Sequence, residues 1–290
     1  MPTTITKMST RDVRRQICRY GSNYIIDVAK VVAEALDRNF VTALVFLAVT
    51  RANVSAITAA EVAHQRPEGA DLPADAQRLP VSVYAIARDL RLPYETARRH
   101  VGKLKAAGRC APVGDGLIVP TDVFRRAEAR EASQWVERFA RRLVNDVAQY
   151  GVSFPGTGSP PAADLTAKIS RLSTEYFIDC VCLMTRTMNV DIVAALVLWT
   201  IANANTDDIR KDPALAGAFA GLDEVPPDDL RRPVSVYFVS RYLMLPYETT
   251  RRICLRLVEQ GLIWRGEDGG LVVPTDTIAR PETAAGFAAF

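Results

Sequence analysis

The sequence predicts a mainly α chain with small β-hairpins, an α+β fold in which two copies of one unit meet around a helical bundle with an internal pseudo-twofold. Three observations point there. The chain of 290 residues repeats itself, apolar residues recur at helical spacing through most of each copy, and each copy closes on two short apolar runs around a glycine-bearing loop. Hydrophobic period and turn chemistry carry the assignment, and the repeat tests it twice.

The duplication is direct. Residues 80–110 and 233–263 are identical at 16 of 31 positions with a constant offset of 153, from Pro80-Val-Ser-Val-Tyr84 and Pro233-Val-Ser-Val-Tyr237 to Gly108 and Gly261. Upstream, at an offset of 152, Tyr24, Ile26 and Asp27 recur as Tyr176, Ile178 and Asp179, and Ala52-Asn53 recurs as Ala204-Asn205. The unit therefore runs from about residue 12 to 123 and again from about 164 to 277. The expected organisation is a helical pair (1–63), a compact helix-and-hairpin unit (64–123) and a connecting helix with a Gly/Pro linker (124–163). A second helical pair (164–211) and a second compact unit with a tail (212–290) follow.

Residues 11–37 and 39–60 read as two long helices. The stretches 39–50 and 191–202 are too apolar to stand alone and are expected to pack across the copies into a central bundle. The uninterrupted runs Phe40–Val49 and Ile192–Ala202 fall well short of the roughly 20 residues that span a bilayer, so no membrane association is expected. His64–Pro80 and Asp212–Pro233 read as loops rich in proline, glycine and acids.

Ser82 then caps a short helix over 83–90, with Tyr84 or Val83, Ile86, Ala87 and Leu90 turned inward. A tight turn, Arg91-Leu92-Pro93, leads to a second helix from Tyr94 to about Ala107, whose Ala97, Val101 and Leu104 fall on one face. Gly108 stops it. Arg109–Val113 and Leu117–Val119 read as strands joined by Gly114-Asp115-Gly116, and Leu262–Arg265 and Leu271–Val273 flank Gly266–Gly270 in the second copy. Phe124–Tyr150 is helical, with Trp135, Phe139, Leu143 and Val147 along one stripe, and 151–163 reads as a flexible linker.

The net charge of +3 is unevenly spread. Residues 78–110 carry eight Lys and Arg against Asp89 and Glu95, and residues 231–265 carry seven against Glu248 and Glu259. These segments hold +6 and +5, which leaves the rest of the chain at −8. Positive charge gathered in two short segments is the footprint of a polyanion binder. The five cysteines form no CxxC pair and there are only two histidines, so no metal or cofactor is expected and the thiols read as buried packing groups. No nucleophile–base pair, phosphate loop or carboxylate constellation stands out, which argues against an enzyme. His100 is replaced by Ile253 in the second copy, so it reads as a packing position.

The run Ala87-Arg-Asp-Leu-Arg-Leu-Pro-Tyr-Glu-Thr-Ala-Arg-Arg-His-Val-Gly-Lys-Leu-Lys-Ala-Ala-Gly108, followed by its hairpin, resembles the bacterial winged helix-turn-helix transcription regulators. The resemblance covers about 45 residues of each copy. It implies a sequence-specific, non-enzymatic regulator that binds double-stranded DNA as a fused pseudo-dimer, in the cytoplasm and on the nucleoid. Recognition helices 94–107 and 247–260 would enter successive major grooves about 34 Å apart.

The DNA-contacting residues so implied are Tyr94, Glu95, Thr96, Arg98, Arg99 and Lys103 in the first copy, with Arg109 at the wing base. In the second they are Tyr247, Glu248, Thr249, Arg251, Arg252 and Arg256, with Arg265 at the wing base. Arginine can read guanine and glutamate cytosine, while the hydroxyls and lysine suit phosphate. The wing tips carry Asp115, Glu267 and Asp268, which phosphate repels, so little affinity is expected there. Against this stands a simpler reading, in which Glu95 pairs with Arg99 and Glu248 with Arg252 on a solvated helix face. Two other functions share the sequence features: a tandem winged-helix subunit that binds protein in a chromosome-organising complex, and a replication or nucleoid DNA-binding protein. A homodimer through the bundle is compatible with both copies, and the sequence names no small-molecule effector.

Overall fold

The computed structural model describes residues 12–62, 72–151 and 166–288. The first copy supplies α1 (Arg14–Glu34), α2 (Phe40–Val62), α3 (Val83–Asp89), α4 (Tyr94–Ala106), the hairpin β1 (Ala111–Val113) and β2 (Gly116–Ile118), and α5 (Thr121–Phe124). The connecting helix is α6 (Ala127–Ala148). The second copy supplies α7 (Thr166–Thr187), α8 (Ile192–Asn205), α9 (Asp207–Lys211), α10 (Pro213–Ala218), α11 (Val236–Tyr242) and α12 (Tyr247–Glu259). It closes with β3 (Trp264–Arg265), β4 (Leu271–Val272), α13 (Thr275–Ile278) and α14 (Pro281–Ala288). The fold is thus mainly helical, and its described strands form two antiparallel hairpins.

The helices α2 and α8 are apolar nearly all round, and such helices are stable only when every side is covered. The fold covers them. α2 packs on α1, α4 and α7, while α8 packs on α7, α1 and α12. Both start at a side-chain cap, Asn39 accepting from the Thr42 N–H at 3.0 Å and Asp191 from the Ala194 N–H at 2.9 Å. α6 lies along α1 and α7.

The crossing contacts are reciprocal, as contacts about a twofold must be. Tyr24 and Tyr176, matched residues of the two copies, meet with ring centroids 6.2 Å apart. Arg51 donates to Glu175 at 2.5 Å and also pairs with Asp179. The exchanged positions, Asn203 and Asn23, meet through an amide hydrogen bond of 3.3 Å. Cys182 Sγ lies 3.4 Å from the Asp89 carbonyl, and the exchanged positions place the Lys30 ammonium 4.0 Å over the Tyr242 ring. Each short helical pair therefore touches the long first helix of the other copy.

Within a copy, one buried asparagine holds the compact unit to its apolar helix. Asn53 Nδ2 donates to the Leu79 carbonyl at 2.7 Å and the Leu117 carbonyl at 3.0 Å, and its Oδ1 accepts from the Val119 N–H at 2.8 Å. Asn205 repeats all of this with Arg232, Leu271 and Val273 at 2.7, 3.0 and 2.9 Å. Side-chain amides can satisfy a donor and acceptors at once, which suits a junction between helix and hairpin.

Several expectations need correction. The span 212–233 is not simply a loop: Asp212 caps α10, donating nothing and accepting from the Ala214 and Leu215 N–H groups. Of 64–80, the described part from residue 72 is ordered: Arg78 donates to the Pro73 carbonyl at 3.1 Å, and Asp75 accepts from Thr121. Arg231, Pro226, Asp228 and Thr275 repeat this arrangement. Tyr84 does not turn inward but is 68% exposed, because Ile86, Ala87 and Leu90 already fill the inner face. On α6, Val136 is buried and Trp135 is exposed, so the buried stripe is rotated by one residue at that turn.

The apolar run starting at Phe40 does not stop at Arg51. Residues Phe40–Ala60 form one helical stretch long and apolar enough to cross a membrane, but 61% of that window is buried, as in a core helix. The expected linker 152–163 and the first residues of the chain lie outside the described residues.

Candidate nucleic-acid interface

The short helical pair is built by local rules that operate identically in both copies. Ser82 Oγ accepts from the Ala85 N–H at 3.1 Å, and Ser235 Oγ from the Phe238 N–H at 3.0 Å. The turn that follows places Arg91 and Met244 at φ +51°, a left-handed conformation costly for a residue with a side chain. Arg91 recovers part of that cost by donating to the Thr185 carbonyl of α7 at 3.0 Å. Pro93 and Pro246 precede α4 and α12, and Gly108 and Gly261, at φ +61° and +64°, end them.

The hairpins follow. Leu117 pairs with Pro112 in the first and Leu271 with Arg265 in the second, and a single bridge adds Val81 to Leu117 and Val234 to Leu271. A Cβ on Gly116 would lie 2.7 Å from Pro80, and one on Gly270 2.5 Å from Pro233, so both sites need glycine.

Ala97, His100, Val101 and Leu104 face inward on α4, and Thr250, Ile253, Cys254 and Leu257 on α12. The opposite face carries most of the implied contact residues. Glu95, Arg98, Arg99 and Lys103 are exposed in the first copy, with Tyr94 at 48% and Thr96 half-buried. Glu248, Thr249, Arg251, Arg252 and Arg256 are exposed in the second, with Tyr247 at 47%.

The ion pairs differ from the expected spacing. Glu95 pairs with Arg98 at 2.8 Å and Glu248 with Arg251 at 3.1 Å, one residue nearer than Arg99 and Arg252. The pairing holds Arg98 protonated above its usual range through the Glu95 hydrogen bond. Arg99 and Arg252 stand exposed on the same face.

Not every basic residue in the two clusters reaches this face. Arg78 and Arg231 are buried and hold their own loops. Arg109 is mostly covered and pairs with Glu128 at 3.2 Å, and Arg256 reaches back to Asp191 at 2.5 Å. Arg265 is exposed and donates to the Gly269 carbonyl at 3.3 Å. Of these two arginines at the hairpin bases, Arg109 and Arg265, only Arg265 presents its charge to solvent. The acidic tips Asp115, Glu267 and Asp268 are exposed.

Sequence reasoning missed Tyr84 and Tyr237, which are 68% and 64% exposed on α3 and α11. The signal was present: both are identical between the copies, yet Ile86 and Val239, not the tyrosines, fill the core. Arg241 of α11 is exposed, and its counterpart Arg88 pairs with Asp89 at 2.9 Å.

His100 and the five cysteines are buried. His100 Nδ1 lies 2.9 Å from Thr42 Oγ1, and burial, aided by Lys103 and Arg99, lowers its pKa to about 4. Burial pushes Cys18 and Cys254 up to about 11 and Cys110 and Cys180 up to about 12, well away from thiolate chemistry at neutral pH. No group of three or more His, Cys, Asp or Glu side chains placed to hold a metal occurs among the described residues. No family model, curated protein or solved structure matches the chain.

Proposed function

We propose that the chain is a tandem winged helix-turn-helix protein that binds double-stranded DNA and acts as a transcription regulator, with no catalytic step of its own. One observation carries the reading. The residues that the two copies keep identical on α4 and α12 include Tyr-Glu-Thr-x-Arg-Arg at 94–99 and 247–252, exposed in both copies except for the half-buried Thr96. Farther along the helices the copies diverge, exposed Gly102 against exposed Leu255 and exposed Lys105 against half-buried Val258. Shared surface chemistry at the helix N-terminal half, where groove-reading residues sit, fits one kind of ligand bound twice.

The pseudo-twofold would present these helices to two similar half-sites. Arg99 and Arg252 are the first choice for base contact, since Arg98 and Arg251 must first leave Glu95 and Glu248. Thr96, Thr249, Tyr94 and Tyr247 suit phosphates. The test is a labelled-duplex titration over a salt series with Arg98→Ala plus Arg251→Ala and with Arg99→Ala plus Arg252→Ala. Each pair should weaken binding about tenfold or more and flatten the salt dependence. Wild-type affinity and salt slope in both double variants would rule out these helices as the DNA surface.

A second reading rests on a difference between the copies. Ala85, Gly102 and Ala111 of the first are matched by Phe238, Leu255 and Trp264 in the second, all three exposed. Exposed apolar side chains of that size favour protein contact. Under this reading the second copy docks a protein, and DNA affinity resides in the first alone, so that Arg252→Ala leaves duplex binding unchanged.

A further inference from the structure

Each copy has a cavity, partly open to solvent, at matching positions between its apolar helix, its Arg78 or Arg231 loop and the first helix of the other copy. The two differ in size. That of the second copy is about 100 Å³, and that of the first about 770 Å³.

The smaller one is filled by the chain itself. Trp199 of α8 lines it where the first copy has Leu47, and α14 brings Thr283 and Gly286 against it. Its arginines are occupied by backbone: Arg15 donates to the Gly221 and Leu222 carbonyls and Arg19 to the Phe219 carbonyl at 3.0 Å. Burial beside Arg15 and Arg231 lowers Arg19 to about 10.

The larger one has a different lining. Val28, Phe46, Leu47 and Val136 give it apolar walls. Arg78, Arg109, Arg125, Arg130 and Arg171 also line it, and no acidic side chain does so among the described residues. Arg109 pairs with Glu128, Arg125 with Asp122 and Arg78 lies 3.6 Å from Asp75, all carboxylates outside the lining; Arg78 and Arg130 also donate to the Pro73 and Arg125 carbonyls, and Arg171 too has a partner.

Two hydroxyls add an independent sign. Thr50 Oγ1 and Ser170 Oγ are buried in this lining without a hydrogen-bond partner. A buried hydroxyl without a partner costs free energy, so such groups are ordinarily satisfied. At the matching places the second copy has Ala202 and Cys18, which demand nothing. The filled cavity is apolar there and the open one is polar, as expected if only the open one receives a ligand.

We propose that the first-copy cavity binds a small amphipathic anion, an apolar body bearing one carboxylate or phosphate. The volume lies within the range of small-molecule sites. The arginines meet the anionic group, Thr50 and Ser170 supply hydrogen bonds, and Phe46, Leu47 and Val136 cover the apolar body. The inference stands apart from DNA binding: it concerns a different ligand and, Arg109 excepted, different residues.

The test uses the full chain with decanoate, decyl phosphate and uncharged decanol as probes, followed by calorimetry and thermal melting. One of the anions, or both, should bind saturably at one per chain and raise the melting temperature, and decanol should bind at least tenfold more weakly. The carboxylate and phosphate arms identify the preferred group. Leu47→Trp places in this cavity the residue its counterpart already holds, and should remove binding at least tenfold without lowering the melting temperature. Trp199→Leu should leave binding unchanged. Where Leu47→Trp fails to give a native circular dichroism spectrum, the exposed Arg130→Gln replaces it and should weaken anion binding severalfold. Absence of saturable binding by either anion, equal binding of decanol, or full binding by a folded Leu47→Trp or Arg130→Gln chain overturns the proposal.

Discussion

In the first copy Thr42 and His100 share a buried hydrogen bond of 2.9 Å where α2 meets α4. In the second, the same two places hold Ala194 and Ile253, both buried and apolar. The junction survives a complete change of chemistry because each version is internally satisfied, polar with polar and apolar with apolar. Asn53 and Asn205 behave in the opposite way. They are identical, and each makes the same three backbone hydrogen bonds. A side chain that bonds to backbone has no partner that can change with it, so it is held constant. At these two junctions the copies diverge where side chain meets side chain and stay the same where side chain meets backbone.

That contrast can be broken at four points. The largest effect should come from Asn53→Ala and Asn205→Ala, each losing about 4 kcal/mol of stability and leaving a buried N–H without a partner. Urea unfolding should give nearly equal losses for the two, and a loss confined to one copy would end the equivalence.

Next is pH. His100 is depressed to about 4 in the fold, below the unfolded value of about 6.5. The unfolded chain therefore takes up a proton first as pH falls. The contribution is complete above about pH 6.5 and is lost as pH falls through about 4, amounting to roughly 3 kcal/mol. Thr42→Ala with His100→Ile installs the second copy's pair, and its stability should fall by that much less between pH 7 and 4 in denaturant titrations.

Third, Arg99→Ala and Arg252→Ala made singly should each weaken duplex binding by a similar factor, about five- to tenfold. Strong asymmetry in fluorescence anisotropy titrations would favour the protein-docking reading of the second copy. The smallest effect concerns the crossing contacts. Arg51→Ala removes ion pairs to Glu175 and Asp179 that are partly open to solvent and should cost about 1 kcal/mol. Asn203→Ala, at the exchanged position, should cost less in the same thermal melts.

Much of the candidate surface was legible before any coordinates. The inward set Ala97, Val101 and Leu104, the Ser82 cap and the Gly108 stop all follow from contacts within a few residues, and local rules read them correctly. Reading failed where folding buries or pairs a charge that its residue type places at the surface. Arg109 was counted with the free charges, but Glu128 of α6 takes it. Arg78 and Arg231 were counted likewise, although their own loops bury them. Local spacing leaves Tyr84 and Val83 as alternatives for the inner face, and packing takes Val83 and leaves Tyr84 outside.

The sequence by itself determined the duplication, the helical periods, the caps and stops, and the shared Tyr-Glu-Thr-x-Arg-Arg face, because each is a matter of residue type at short spacing. The tertiary structure decided which arginines remain at the surface, that each compact unit touches the other copy's first helix, and that one cavity is filled by Trp199 and α14 while the other is larger. Burial and ion pairing depend on how the chain is packed, through partners as near as Asp75 for Arg78 and as far as Glu175 for Arg51, and residue type at short spacing does not carry that information.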